Sequence, residues 1–114
     1  SAPFHCDLMA PAAAVMKEAF TATNFSDAAM PVFCNVTAAP ETDALKLQEN
    51  LVRQVTARVR WRESLIAMSA SGAEKFVELG TGKVLSGLVR RGIEAKAIVN
   101  LDGPDDLDSV LAQM

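Results

Sequence analysis

Residues 75–88 read KFVELGTGKVLSGL. Lys75 to Leu79 is a short apolar run with Phe76 and Val77 at its centre, the composition of a strand. From Lys83 onward the apolar residues change period. Val84, Leu85, Leu88 and Val89 recur at helical spacing, so the sequence predicts a helix over Lys83–Arg91 with these four facing inward, closed by Gly92. Between the two periods lies Gly80-Thr81-Gly82, a turn that needs glycine geometry. Strand, turn and helix in that order form the opening of a crossover unit, and crossover units build parallel sheets.

The same unit continues in both directions. Downstream, Ala95 to Leu101 reads as a second strand. Gly103-Pro104-Asp105-Asp106 starts a last helix, with Pro at the first helical position and acids in the first turn. Leu107, Val110, Leu111 and Met114 form its apolar stripe. Upstream, Trp61, Leu65 and Met68 anchor a short helix ending at Ser71-Gly72. A longer helix is expected over Glu41–Arg58, from Leu47, Leu51, Val52 and Val55. Val32 to Val36, after Met30-Pro31, is a short apolar run with β-branched residues and reads as a strand of the same sheet. Leu8, Met9, Ala12, Val15, Met16, Ala19 and Phe20 predict a first helix over Asp7–Ala22, with Pro11 in its first turn. The expected fold class is α/β, a mainly parallel sheet flanked by helices. Three strands make it narrow, and its near-continuous apolar strands call for more sheet than the chain supplies.

Composition bounds the function. The 114 residues are 50% hydrophobic and 22% charged, which suits one globular domain. A net charge of −3 gives no reason to expect nucleic acid or an anionic membrane as partner, and no apolar run approaches a membrane span. Cys6 and Cys34 form no CxxC pair and cannot make a zinc site with one histidine, so the expectation is two structural thiols and no metal. The chain opens on Ser1 with no initiator Met, and the expectation is a piece of something longer.

Four places invite a chemical reading. Gly80-Thr81-Gly82-Lys83 could cradle a phosphate at a helix start. The P-loop pattern, however, needs Gly where Val77 stands and Ser or Thr where Val84 stands, so a tight turn is the better reading. Glu78 falls at the carboxyl edge of its strand, where open α/β sheets place ligands; a structural hydrogen-bonding role is equally open. Cys6 neighbours His5, but sequence neighbours rarely meet in the geometry a nucleophile needs. His5 itself is the one histidine of the chain. It sits in the turn feeding the first helix, where a neutral imidazole is favoured as a base.

Several separated stretches resemble those of one family, in the right order. They are Ser1-Ala2-Pro3-Phe4-His5-Cys6-Asp7-Leu8-Met9 with Pro11-Ala12, Pro31-Val32 with Asn35-Val36, Leu51-Val52-Arg53-Gln54, Val59-Arg60-Trp61 with Ser64, and Phe76 to Leu88. The family they resemble is the malonyl-CoA:acyl carrier protein transacylases, and the first stretch is similar to the segment around its catalytic His. The family usually has Pro where Arg58 and Thr81 stand.

The resemblance implies a serine–histidine acyl transfer in fatty acid biosynthesis. His5 would be the general base, with its ring oriented by the main-chain carbonyl of Gln54, and Phe4 would shape the substrate pocket beside it. The family's GHSxG nucleophile elbow, its carboxylate-clamping Arg, its oxyanion Gln and its ferredoxin-like small subdomain match nothing in this chain. The resemblance therefore implies the C-terminal part of the large, hydrolase-like subdomain over residues 1–114. It would be inactive alone and partnered by the N-terminal part of the same enzyme, malonyl-CoA and acyl carrier protein. The reaction would be cytoplasmic, with no cofactor beyond CoA as a thioester substrate. A stand-alone, non-catalytic α/β binding module is the alternative.

Overall fold

The computed structural model describes residues 3–113. Ser1, Ala2 and Met114, the last a member of the expected final stripe, lie outside the described residues. The chain folds as two compact units, Ser1–Ser64 and Leu65–Met114.

In the first unit a 3-10 turn over Asp7–Met9 leads into α1, Ala10–Thr21, with Pro11 in its first turn as expected. Met9 N–H donates to the Cys6 carbonyl at 3.0 Å and closes the entry. α1 packs on α2, Ala44–Arg53. The Gln48 side chain donates to the Phe20 carbonyl at 2.9 Å, a second donor there beside the Thr23 amide at 3.1 Å. Asp43 caps α2 by accepting the Lys46 amide at 2.9 Å. The apolar stripe expected of α1 is only partly covered: Met9, Ala12 and Phe20 are half-buried, while Leu8, Val15 and Met16 are exposed.

Two expectations fail in this unit. The Val32–Val36 run is not a strand of the parallel sheet. Only Val32–Phe33 is extended (β1), and it pairs antiparallel with Pro40–Glu41 (β2) in a small hairpin. The chain reverses because Ala38 N–H donates to the Cys34 carbonyl at 2.9 Å, with Ala38 held at φ 54. Helix α2 ends at Arg53, not Arg58. Past it the amides of Val55 and Thr56 bond three residues back, to the carbonyls of Val52 and Arg53, and the helix tightens into a turn.

α3, Trp61–Ala70, carries the chain into the second unit, where the reading outward from residues 75–88 holds. β3, Lys75–Leu79, is parallel to β4, Ala97–Leu101, in the register Lys75 to Ala97 through Leu79 to Leu101. The crossover is α4, Val84–Gly92. Gly80 and Gly82 take φ of 111 and 98, values that favour glycine. α5, Leu107–Leu111, follows a 3-10 turn at Pro104–Asp106 and packs on β4. Leu65, Val89, Val99 and Val110 form the core of this unit. Gly92 is small for packing reasons: a Cβ there would stand 2.9 Å from Cδ1 of Leu65, itself only 1% exposed. Of the four residues expected to face inward on α4, Val89 is buried and Leu88 half-buried, whereas Val84 and Leu85 are exposed.

Candidate functional site

His5 occupies the turn before α1 at φ 58, a left-handed conformation that side chains other than glycine rarely adopt. Its ring is exposed, and Nδ1 lies 2.7 Å from the main-chain oxygen of Gln54. A carbonyl only accepts, so in the neutral ring the proton sits on Nδ1 and the lone pair on Nε2. Among the described residues Nε2 has no hydrogen-bond partner. The ring is thereby held in the tautomer that can take a proton from a ligand.

Gln54 can do this because of where α2 stops. It is the residue just past the helix, and its carbonyl is one of the terminal carbonyls a helix leaves unpaired. Its side chain is held separately: Oε1 accepts from the Asn35 amide at 2.9 Å. Asn35 stands in the β1–β2 turn. Its carbonyl accepts the Arg60 amide at 2.9 Å, and the Arg60 guanidinium donates to the Thr37 carbonyl at 3.0 Å. Gln54 and Asn35 also line a mainly apolar cavity of about 360 Å³, together with Phe25, Phe33, Leu47 and Leu51. Phe4 projects beside His5 in the chain and is 66% exposed.

The structure brings His5 and Gln54 together and separates His5 from Cys6. The Cys6 thiol donates to the Pro3 carbonyl at 3.1 Å, leaving no Cys–His pair. Sequence reasoning missed Asn35 as a neighbour of this group. Nothing in a short apolar run announces a side chain turned toward a helix end 19 residues away.

The second unit holds the other cluster. Both oxygens of Glu78 are occupied: Oε1 accepts the Leu85 amide at 3.0 Å, and Oε2 accepts the Ser86 amide at 2.7 Å and the Asn100 amide group at 2.9 Å. The Ser86 amide above all, with those of Leu85 and Asn100, holds the Glu78 carboxyl down at about 2 against an ordinary 4.5. Asp102 accepts the Gly82 amide at 3.1 Å. The amides a phosphate would need at the start of α4 are thus taken by the protein's own carboxylates, which also repel an anion. The nucleotide reading of Gly80-Thr81-Gly82 falls on that ground, and Glu78 serves as the cap of α4.

A parallel strand pair with helices packed on it is found in known proteins. The chain superposes with a TM-score of 0.91 on an acyl-carrier-protein S-malonyltransferase from Bartonella henselae, 40% identical, over 98% of this chain and 36% of that one. A malonyl-CoA:ACP transacylase from Synechocystis gives a TM-score of 0.88 at 38% identity, over 96% of this chain and 37% of that one. The fold is therefore that of an α/β acyltransferase. Among curated proteins, the malonyl CoA-acyl carrier protein transacylase of Synechocystis is 37% identical over 96% of this chain and 38% of its own length. That of Bacillus subtilis is 38% identical over 95% of this chain and 34% of its own length. The chain is homologous to a segment of the malonyl CoA-acyl carrier protein transacylases, and it spans about a third of the length of the curated relatives it matches. No family model matches it. Among the described residues, no helix is long and apolar enough to cross a membrane.

Proposed function

We propose that this chain is the C-terminal part of the large, hydrolase-like subdomain of a malonyl-CoA:acyl carrier protein S-malonyltransferase, and that His5 is its general base. The N-terminal part of the same enzyme supplies the serine nucleophile. Nε2 of His5 takes the serine hydroxyl proton as the oxygen attacks the thioester carbonyl of malonyl-CoA. The tetrahedral intermediate collapses, the C–S bond breaks, and the proton passes from His5 to the departing CoA thiolate. In the second half the phosphopantetheine thiol of acyl carrier protein gives its proton to His5 and takes the malonyl group, which returns the serine hydroxyl. The reaction needs no metal or bound cofactor, because CoA enters as a substrate thioester. Its place is the cytoplasm.

The observation that carries this reading is the 2.7 Å tether from Nδ1 of His5 to the Gln54 carbonyl, in a chain homologous to these transacylases. A carbonyl here does what the carboxylate of a Ser-His-Asp triad does for tautomer and orientation. Partner choice draws support from a solved structure described as a type II PKS acyl-carrier protein in complex with its malonyl-transacylase, 31% identical with a TM-score of 0.90, of which this chain covers 37%. Phe4 is the substrate-side residue on this reading: a ring next to the base leaves room for an unbranched malonyl group and crowds an α-methyl branch. The exposed apolar residues Leu8, Val15, Leu79 and Val84 are the surfaces the rest of the enzyme covers.

The test is malonyl transfer from malonyl-CoA to holo acyl carrier protein by the full-length protein carrying this sequence. His5→Ala is expected to lower the rate by about 10²- to 10⁴-fold, the usual contribution of a positioned acid–base group. A rate within a few-fold of the unaltered protein overturns the assignment.

A further inference from the structure

We propose that Asn35 is a positioning residue for the His5 imidazole, acting through Gln54; this rests on the reading of His5 as the base. His5 lies in an exposed turn at φ 58, and among the described residues its ring has one polar tether, the Gln54 carbonyl at 2.7 Å. That carbonyl belongs to the first residue past α2, where the next amides bond back into a tight turn and the peptide is freer to rotate than inside the helix. The Gln54 and Val55 amides hold the main chain there, donating to the Asn50 and Val52 carbonyls at 3.0 and 3.2 Å, and the Gln54 side chain adds a further restraint. The Asn35 amide donates to Gln54 Oε1 at 2.9 Å.

Asn35 can act as an anchor because it does not depend on Gln54 for its own place. The turn that carries it is pinned twice by Arg60, through the Asn35 carbonyl at 2.9 Å and the Thr37 carbonyl at 3.0 Å. It is also closed by Ala38, which is 8% exposed and held at φ 54. A buried residue held in that conformation marks a turn whose surroundings over-determine it. The order of support runs from Arg60 to the turn, from Asn35 to the Gln54 side chain, and from the Gln54 carbonyl to His5. Gln54 is thus gripped at both its side chain and its main chain, and only the second grip touches the base.

The full-length protein carrying this sequence, ¹⁵N-labelled at histidine, offers a direct readout, because His5 is the sole imidazole of these 114 residues and its signal is the one that His5→Ala removes. Long-range ¹H–¹⁵N correlation spectra at about pH 8.5 report which nitrogen of the neutral ring carries the proton. The unaltered chain should show Nδ1–H as the main form, whereas free histidine in water favours Nε2–H. Asn35→Leu should lower the ratio of Nδ1–H to Nε2–H roughly three- to tenfold, as loss of one net hydrogen bond allows. Gln54→Leu keeps the carbonyl but removes Asn35's partner, so it should give the same shift, and the double variant should add nothing further.

Amide spectra of the backbone establish that each variant is folded. Should Asn35→Leu fail to fold, Asn35→Ser keeps a polar side chain too short to reach Gln54 and carries the same expectation. A folded variant with an unchanged tautomer ratio overturns the role of Asn35 while leaving the tether intact. Nε2–H as the main form of the unaltered chain removes the tether and this proposal with it. Malonyl transfer by His5→Ala in the full-length protein then decides the assignment of the base separately.

Discussion

His5 and Glu78 are both titratable side chains next to a helix start, one in each unit, and they spend their hydrogen bonds in opposite ways. Glu78 sits in regular strand geometry with both oxygens accepting, from Leu85, Ser86 and Asn100. His5 sits at φ 58 with one nitrogen tethered and the other, among the described residues, without a partner. A carboxylate with three of its roughly four lone-pair sites turned to amides of its own fold has little left to offer a ligand; its job is to cap α4. An imidazole with one nitrogen fixed and the other open to solvent is oriented and still has a lone pair to offer, and it stands on a backbone that its surroundings must hold. Position at the edge of a strand or before a helix made both residues candidates. Valence separates them.

If that contrast is right, damage to the Glu78 cluster should be felt in stability first. Asn100 ties it together, donating to Glu78 at 2.9 Å and to the Gly82 carbonyl at 3.1 Å, and accepting from Ser86 Oγ at 3.2 Å. Ser86 is 1% exposed, so water cannot replace that acceptor. Asn100→Ala should lower the unfolding free energy by about 2 kcal/mol, the scale for stranding buried polar partners, read by urea denaturation. A change below about 0.5 kcal/mol, the range of an ordinary surface substitution, would mean the cluster is ornament and Glu78 is free for other work.

Glu78→Gln sharpens the same point through pH. The folded-state carboxyl is held at about 2 against 4.5, so the unfolded chain binds the proton first. The stabilisation from this group is therefore complete above pH 4.5 and is lost as pH falls toward 2. At pH 7 the variant should melt a few degrees lower. The gap between the two melting temperatures should close across that window, and the variant should lose the share of acid sensitivity that Glu78 contributes. A gap that stays constant from pH 7 to pH 2 would show that the carboxylate charge plays no part in capping.

What could be read from residues alone follows the same line between local and distant causes. The crossover unit was legible because Phe76 to Val89 changes period across two glycines, and Gly80 and Gly82 do adopt positive φ. α1 and α5 were legible from Pro11 and Pro104. The β1–β2 hairpin was not. Val32 to Val36 has the composition of a strand, and the reversal inside it depends on Ala38 in an unfavourable conformation and on Arg60, which grips the turn from outside it. The end of α2 was misplaced for a related reason. No glycine or proline stops it, and the released Gln54 carbonyl finds its partner 49 residues away. Spacing could not pair His5 with Gln54 either; only the family resemblance pointed there. Glu78 was legible as a polar residue at a strand edge, but its role was open until both oxygens had partners.

The smallest effect is expected at one of the two described non-glycine residues with positive φ. In His5→Gly three contributions compete. Relief of the left-handed conformation at φ 58 gains about 1 kcal/mol. The greater freedom of glycine in the unfolded chain takes back about 0.5–1 kcal/mol. Loss of the exposed Nδ1 hydrogen bond to Gln54 costs about 0.5 kcal/mol, the low end for such bonds. The sum lies within about 0.5 kcal/mol of zero, so urea unfolding of His5→Gly should overlay that of the unaltered chain even though its only imidazole is gone. A side chain whose removal leaves stability untouched, on a backbone glycine would suit better, is not retained for the fold. A loss of 2 kcal/mol or more in that variant would instead put His5 in the same class as Asn100, a structural residue, and would erase the contrast between the two units.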